Sequence, residues 1–118
     1  MWERFNIAGQ QALSQGKPGD AETQFKLAIA EAEKLGSESH AIASVLLNLA
    51  NTYRQQGKFG EAEPTYKKAI AMKERLADPL HKDMVPFLEN YSRMLKSAGR
   101  TDEAEKLEKK ALAIFSRK

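Results

Sequence analysis

The chain has 118 residues, of which 42% are hydrophobic and 30% charged, with a formal net charge of +3 and no cysteine. This length predicts one domain, residues 1–118, and the lack of cysteine excludes a disulfide scaffold, a thiolate metal site and a cysteine nucleophile. No apolar run approaches the roughly 18 residues that span a membrane, and the N-terminus lacks the basic-then-apolar order of a signal peptide. A cytoplasmic protein that does not enter membranes is therefore expected.

Glycine, proline and capping signals predict six helices along the chain. They are expected at about 2–15, 19–35, 40–56, 60–77, 83–98 and 101–116, with each end placed to within roughly 2–4 residues. Ser39 can cap the third helix and Asp83 the fifth, because each side chain can accept a hydrogen bond from a backbone N–H of the first turn. Pro79 keeps Asp78 out of the helical region and ends the fourth helix.

A seven-residue motif, Gly-[Lys/Arg]-x-x-[Asp/Glu]-Ala-Glu, occurs three times. It begins at Gly16, Gly57 and Gly99, so the copies are 41 and 42 residues apart. Before each glycine, small or apolar residues at offsets of 4, 7, 8 and 11 form one stripe on a helix. Each unit therefore consists of a helix A, a glycine turn and a helix B, and such units stack to make a surface rather than a catalytic pocket.

Helix B carries two alanines seven residues apart in every unit, about two helical turns along one face. Small residues in this arrangement let a neighbouring helix approach closely. We expect all six to be buried at helix crossings: Ala21, Ala28, Ala62, Ala69, Ala104 and Ala111.

These residues resemble the tetratricopeptide repeat (TPR), with its glycine turn, its small residues on both helices and its helix B aromatic, here Phe25 and Tyr66. The longer period resembles the kinesin-light-chain type, and the glycine turn argues against HEAT-type repeats of similar length. The third unit departs from the pattern, because Glu108 stands at the aromatic position. The resemblance implies an all-α fold of three TPR-like helix-turn-helix repeats, about 1–36, 37–77 and 78–118, whose six antiparallel helices stack in a right-handed superhelical α-solenoid.

The two histidines, His40 and His81, both lie where the chain enters a helix A. They are expected to pack or cap locally, because equivalent points of stacked repeats lie on the order of 10 Å apart, too far for one zinc ion with bonds near ~2 Å. No nucleophile elbow, phosphate-binding glycine loop or metalloprotease motif is present. The sequence therefore predicts no catalytic residue, no metal, no cofactor and no enzymatic activity.

The resemblance implies a concave groove lined by the helices A, with residues beside the packing stripe pointing into it. Those rows lie nine, six and three residues before each turn glycine and contain several amides and cations. Amides can clamp the backbone of an extended peptide because they carry both a donor and an acceptor, and cations favour acidic or C-terminal carboxylate ligands. The predicted peptide-binding residues are Gln10, Asn48, Asn51, Arg54, Asn90, Arg93 and Lys96.

The carboxylate clamp of co-chaperone repeats is matched only in part. Asn51 and Asn90 stand at its asparagine positions, but Leu47 replaces a basic residue that the clamp requires. A receptor for chaperone tails is therefore not predicted.

Three kinds of function follow from this sequence. The first is a protein-interaction module that holds a peptide segment of a partner in the groove. The alternative for the same residues is a solvated concave face that binds nothing specific. The second is a self-associating structural unit, because Trp2 and Phe5 at one end and Leu107, Leu112, Ile114 and Phe115 at the other need cover. Nucleic-acid binding is disfavoured, because the basic strip has no interleaved aromatic residues for base stacking.

Overall fold

The computed structural model describes residues 2–36, 38–77 and 81–116. Its six helices are α1 (Trp2–Ser14), α2 (Pro18–Lys34), α3 (His40–Gln55), α4 (Phe59–Leu76), α5 (Met84–Ser97) and α6 (Thr101–Phe115). Every helix end lies within one residue of its predicted position. Among the described residues there is no strand, and no helix there is long and apolar enough to cross a membrane.

The helices pack in chain order as three hairpins, α1 with α2, α3 with α4, and α5 with α6. Neighbouring hairpins contact each other through α2 with α3 and through α4 with α5. Each unit therefore places its helix A against the helix B of the unit before it. This arrangement confirms the predicted all-α repeat solenoid.

The glycine turns close the first helix of each hairpin in the same way. Gly16, Gly57 and Gly99 have φ values of 72°, 73° and 80°, in the left-handed region that favours glycine. The backbone N–H of the next residue then donates to a carbonyl five residues back, Lys17 to Ala12, Lys58 to Tyr53 and Arg100 to Leu95, at 2.8–2.9 Å. This is the Schellman geometry of a helix C-terminus, and it turns the chain back into helix B.

The six alanines of helix B are buried as predicted, with exposures between 0 and 4%. In the first hairpin, the helix A residue that faces the helix B aromatic has no room for a side chain. A Cβ added to Gly9 would lie 2.5 Å from the fully buried ring of Phe25. Ala50 and Ser92 occupy the corresponding place in the other two hairpins and are also buried.

One of the two predicted helix caps is wrong. Ser39 caps α3 as expected, since its Oγ accepts a hydrogen bond from the N–H of Ile42 at 3.2 Å. Asp83 makes no such bond, because its backbone is already helical (φ −63°). Its carboxylate lies 3.8 Å from Lys73 Nζ, and its own N–H donates to His81 Nδ1 at 3.1 Å. The predicted break at 78–79 lies outside the described residues.

Candidate functional site

The predicted groove residues lie on the three helices A but differ in exposure. Gln10 on α1 and Arg93 and Lys96 on α5 are exposed. The remaining four are half-buried: Asn48, Asn51, Arg54 and Asn90. Asn51 and Arg54 lie beside Tyr66, which stacks on Tyr91 of the following unit, so they have less contact with solvent than the cations of α5.

Asn51 is bound from within its own hairpin. The hydroxyl of Tyr66 on α4 donates to Asn51 Oδ1, and the Tyr66 side chain is fully buried. Burial raises the pKa of Tyr66 to about 12, although nearby Arg54 and Arg93 act in the opposite direction. The hydroxyl therefore stays protonated at neutral pH and occupies the amide oxygen, so the amide NH2 is the part of Asn51 left to act as a donor.

Two arginines lie close to the same hydroxyl. Arg54 follows Asn51 by three residues on α3, and Arg93 stands on α5, and both influence the charge state of Tyr66. The Nε of Arg54 is buried and has no hydrogen-bond partner among the described residues. Asn51 is hydrogen-bonded to Tyr66, and the positive charges of Arg54 and Arg93 are near enough to lower its pKa, so we call these four residues the tyrosine cluster.

Asn90 and Lys96 are engaged by their own hairpin instead. Asn90 Nδ2 donates to the Pro86 carbonyl at 2.7 Å, and its Oδ1 is 3.5 Å from Arg93 Nη1. Lys96 forms an ion pair with Glu108 on α6. The prediction placed both side chains in the groove as ligand contacts, and these local bonds must loosen before either can serve that role.

The remaining two predicted residues stand apart from the cluster. Gln10 is exposed on α1, the helix that packs chiefly on α2. Asn48 is half-buried, and its backbone carbonyl accepts from the hydroxyl of Thr52 at 2.8 Å. A peptide would have to bridge these amides to use them together.

Comparison with known proteins gives two matches to family models described as tetratricopeptide repeat. One covers residues 5–75 and the other residues 47–117, and each spans more than half of the chain. The chain belongs to the tetratricopeptide repeat family. No curated protein matches it in sequence.

Solved structures show the same fold. A crystal structure of nearly identical TPR-like repeats from a putative kinesin light chain of Podosopora anserina superposes with a TM-score of 0.84 at 19% identity, and a single-residue variant of it gives the same values. Each match covers 98% of this chain and 55% of the other chain. The chain therefore spans about half the length of these TPR structures.

The charged positions of the repeat motif pair across neighbouring TPR units, a contact that the motif alone does not predict. Glu22, which ends the first motif, accepts from Lys58 Nζ of the second at 2.9 Å. Glu63, which ends the second, accepts from Arg100 Nη1 of the third at 2.8 Å. The motif itself held the signal, since an acidic and a basic residue recur at fixed places and only the contact between units was unknown. We call these pairs the motif bridges.

The two motif bridges differ in their surroundings. Burial disfavours the charge of Glu22, but hydrogen bonds from Lys58, Lys26 and Gln56 together outweigh it and lower the pKa of Glu22 to about 2. The Arg100 guanidinium, helped by the hydroxyl of Tyr91, lowers the pKa of Glu63 below its usual range. Burial, together with this bond to Glu63, raises the pKa of the Tyr91 hydroxyl.

Aromatic contacts reinforce the second boundary between units. The rings of Tyr66 and Tyr91 stack with centroids 5.6 Å apart and planes 17° from parallel. Lys73 Nζ lies 5.7 Å from the centroid of the Phe87 ring, within cation–π range. These contacts fix α5 against α4 and so hold Arg93 near Tyr66.

A groove between α5 and α6 is the second surface feature of this TPR array. It has a volume of about 550 Å³ and is lined by Val85, Glu89, Ser92, Arg93, Lys96, Glu108, Ala111, Leu112 and Phe115. We call it the end groove. Leu112 and Phe115, which the sequence analysis singled out as needing cover, lie on its rim and are exposed.

Proposed function

We propose that this TPR protein is an interaction module that binds an extended segment of another protein along its helices A. The observation that carries the proposal is the tyrosine cluster, where an amide from α3 and cations from α3 and α5 meet around one buried hydroxyl. TPR repeats generally mediate protein–protein interactions. A convergence of an amide and two cations from two units offers more to a peptide than either helix alone.

Different residues of the cluster can bind different groups of the ligand. The amide NH2 of Asn51 can donate to a peptide carbonyl, because its oxygen is already occupied by Tyr66. Arg93 is exposed and can pair with a carboxylate in a two-pronged fashion. Lys96 contributes less, because Glu108 already neutralises it. The preference for acidic segments or C-terminal carboxylates therefore rests on Arg93 and Arg54.

An interface of this kind has modest affinity. Backbone clamping by amides tolerates different sequences, so the dissociation constant is expected to be micromolar. This corresponds to a binding free energy of about −8 kcal/mol. Loss of one clamping amide or one charge-assisted bond should cost on the order of 1–3 kcal/mol. Neutralising Arg93 should also slow association and flatten its dependence on salt.

The test is a selection of ligands from a random peptide library, followed by titration of the selected peptides. We expect enrichment of acidic residues or of free C-termini, and a loss of affinity of about tenfold for Arg93→Ala and for Arg54→Ala. Lys67→Ala is the matched control for charge, since Lys67 is exposed on α4. Ser44→Ala is the control for α3, where Ser44 is exposed on the same helix.

Two results would count against the groove. One is a set of selected peptides whose affinity is lowered as much by Lys67→Ala as by Arg93→Ala. The other is a selection that yields only peptides insensitive to every substitution on α3 and α5. Asn51→Ala is less useful as a first variant, because it also removes the partner of the buried Tyr66 hydroxyl.

A further inference from the structure

We infer that the end groove receives helix α1 of a second copy, so that copies of the chain stack head to tail in the register of the chain's own repeats. This interface lies next to the tyrosine cluster and shares Arg93 with it. Leu112 and Phe115 in the end groove and Arg4 and Lys17 near the outer face of α1 lie outside the tyrosine cluster, so substitutions there test assembly without altering the cluster.

The apolar rim of the end groove is covered in the other two units. Leu112 is 65% exposed, whereas Ile29 at the same repeat position is 9% exposed and Ile70 is half-buried. Phe115 is 69% exposed, and its counterparts Ala32 and Lys73 are 0% and 5% exposed. The cover comes from the next helix A, which is α3 on α2 and α5 on α4. The end groove is thus the kind of site on which a helix A packs in the other two units.

Helix α1 is the helix A whose packing face is left uncovered and can fit the end groove. The face of helix A that packs on the preceding unit consists of residues 12, 8 and 5 before the turn glycine. In α3 and α5 all of these residues are buried, Val45, Leu49 and Thr52 in the first and Phe87, Tyr91 and Met94 in the second. In α1 the same face carries Arg4 and Gln11, which are exposed, and Ala8, which is half-buried. This face of α1 is open, as the end groove is.

The register of the existing boundary pairs Phe115 with Arg4 of a second copy. Between α4 and α5, Lys73 Nζ lies 5.7 Å from the centre of the Phe87 ring. In the same positions, α6 carries Phe115 and α1 carries Arg4. The cation and the ring exchange sides, and the cation–π contact is preserved. A guanidinium suits this role, since it stacks well on aromatic faces.

The motif bridges extend across the same junction. Glu22 pairs with Lys58 and Glu63 pairs with Arg100, so the third motif presents Glu105 for the next basic residue in the series. The first motif presents Lys17. Both residues are exposed, and neither has an ion pair within the described part of the chain. Glu105 of one copy and Lys17 of the next can therefore form a third motif bridge.

A second copy explains these features better than a two-fold pairing of end grooves. A two-fold pairing would bury Phe115 against its own copy and would leave Arg4, Lys17 and Glu105 unused. The head-to-tail contact uses all of them at once. It is a heterologous contact that does not close on itself, so assembly should continue past the dimer.

The test is sedimentation equilibrium of the chain from micromolar to millimolar concentration. We expect an average mass that rises with concentration and passes the dimer without a plateau. The pair Leu112→Glu and Phe115→Glu blocks the end groove, and the pair Arg4→Glu and Lys17→Glu blocks the face of α1. Each double variant should be monomeric, and an equimolar mixture of the two should form a one-to-one complex and nothing larger.

Controls separate assembly from folding and from general charge effects. All four substituted residues are exposed, so the helical content measured by circular dichroism should not change. Leu27→Glu with Lys67→Glu makes the same kind of change on exposed residues of α2 and α4 and should leave assembly intact. Lys17→Glu alone should weaken association about tenfold, and Glu105→Lys added to it should restore most of that loss.

Three outcomes would overturn the inference. The wild type could remain monomeric at millimolar concentration. The variant blocked on α1 could still dimerise by itself, which would indicate two-fold pairing of end grooves. Finally, assembly could survive both blocks, which would indicate another surface or an exchange of helices between copies.

Discussion

The first and third hairpins cross at the same two repeat positions and fill them with opposite chemistry. In the first, Gly9 faces Phe25, whose ring is fully buried and leaves no room for a Cβ. In the third, Ser92 faces Glu108, whose carboxylate accepts from the serine hydroxyl at 3.0 Å. The backbone architecture is the same in both, although one crossing is apolar and the other polar.

This difference shows what the repeat requires at its crossing. A large apolar side chain is accommodated if its partner has no side chain, and a carboxylate is accommodated if its oxygens find donors. The polar solution has a consequence for the surface, because Ser92 and Glu108 line the end groove, whereas the Phe25 ring is enclosed. The third hairpin therefore keeps the fold while presenting an open, partly polar groove.

The largest expected effect is the loss of the ring in the first hairpin. Phe25→Ala should destabilise the chain by about 3–5 kcal/mol, as is usual for removal of a buried aromatic side chain. Glu108→Ala, at the same repeat position, should cost much less, because a solvent-exposed ion pair contributes little. Urea unfolding followed by circular dichroism measures both. Equal costs at the two positions would show that the crossings do not differ in the way described.

A smaller but more specific effect is expected from crowding the same crossing. Gly9→Ala places a Cβ 2.5 Å from the Phe25 ring, and overpacking of this kind costs roughly 1–3 kcal/mol. The better helix propensity of alanine offsets up to about 1 kcal/mol of that cost, so a net loss of about 1 kcal/mol is expected.

Two further variants decide whether crowding is the cause. Phe25→Leu added to Gly9→Ala should restore part of the loss, because a smaller side chain makes room for the new methyl group. Gly60→Ala is the matched control, since no atom lies within 4 Å of a Cβ built there. It should stabilise the chain slightly through propensity alone. A Gly9→Ala variant as stable as Gly60→Ala would contradict the tight first crossing.

Repeat periodicity was sufficient to predict the helices and their buried alanines. The period places a residue on a face of its helix, and burial of Ala21 or Ala69 depends only on that face. The same reasoning placed Asp83 before a helix but could not foresee that its backbone would already be helical. Caps depend on local dihedral angles, which residue identity determines only in part.

The candidate site was less predictable, because its chemistry depends on partners in other helices. Periodicity grouped Asn51 with Asn90, whereas the structure binds Asn51 to Tyr66 and Asn90 to the carbonyl of Pro86. It also placed Lys96 in the groove without showing that Glu108 would neutralise it. Such pairings require the distance and orientation of side chains across a hairpin. A sequence pattern supplies neither of these.

Acid should expose a difference between the buried and the exposed carboxylates. The pKa of Glu22 falls from 4.5 to about 2 on folding, so its contribution is present above pH 4.5 and is lost as the pH falls towards 2. The loss is expected to be about 1–2 kcal/mol, since Lys26 and Lys58 are half-exposed and screened by solvent. Glu22→Gln should lower stability at pH 7 and flatten its decline in acid.

The control for this titration is Glu105→Gln, at the same motif position in the third unit. Glu105 is exposed and has no ion pair in the described part of the chain, so at a protein concentration too low for assembly this change should leave the pH profile of stability unchanged. Thermal unfolding recorded from pH 7 to pH 2 shows both effects. If Glu22→Gln retains the full acid dependence of the wild type, the motif bridge does not carry that stability.

The smallest expected effect comes from making the third crossing resemble the second. Ser92→Ala removes a hydroxyl that contacts Glu108 and the Ala104 carbonyl, but alanine is the natural residue at this position in the second hairpin, where Ala50 is buried beside Tyr66. The lost hydrogen bond and the gained helix propensity nearly cancel, so a change in the free energy of unfolding within about 0.5 kcal/mol is expected.

Adding Glu108→Tyr should then stabilise the hairpin by up to about 1 kcal/mol, because one side of the new ring buries apolar area on the introduced methyl group while the other side faces the end groove. Differential scanning calorimetry of the single and double variants measures these shifts, and a loss of stability on adding the tyrosine would mean that the third hairpin is built around its polar pair rather than merely tolerating it.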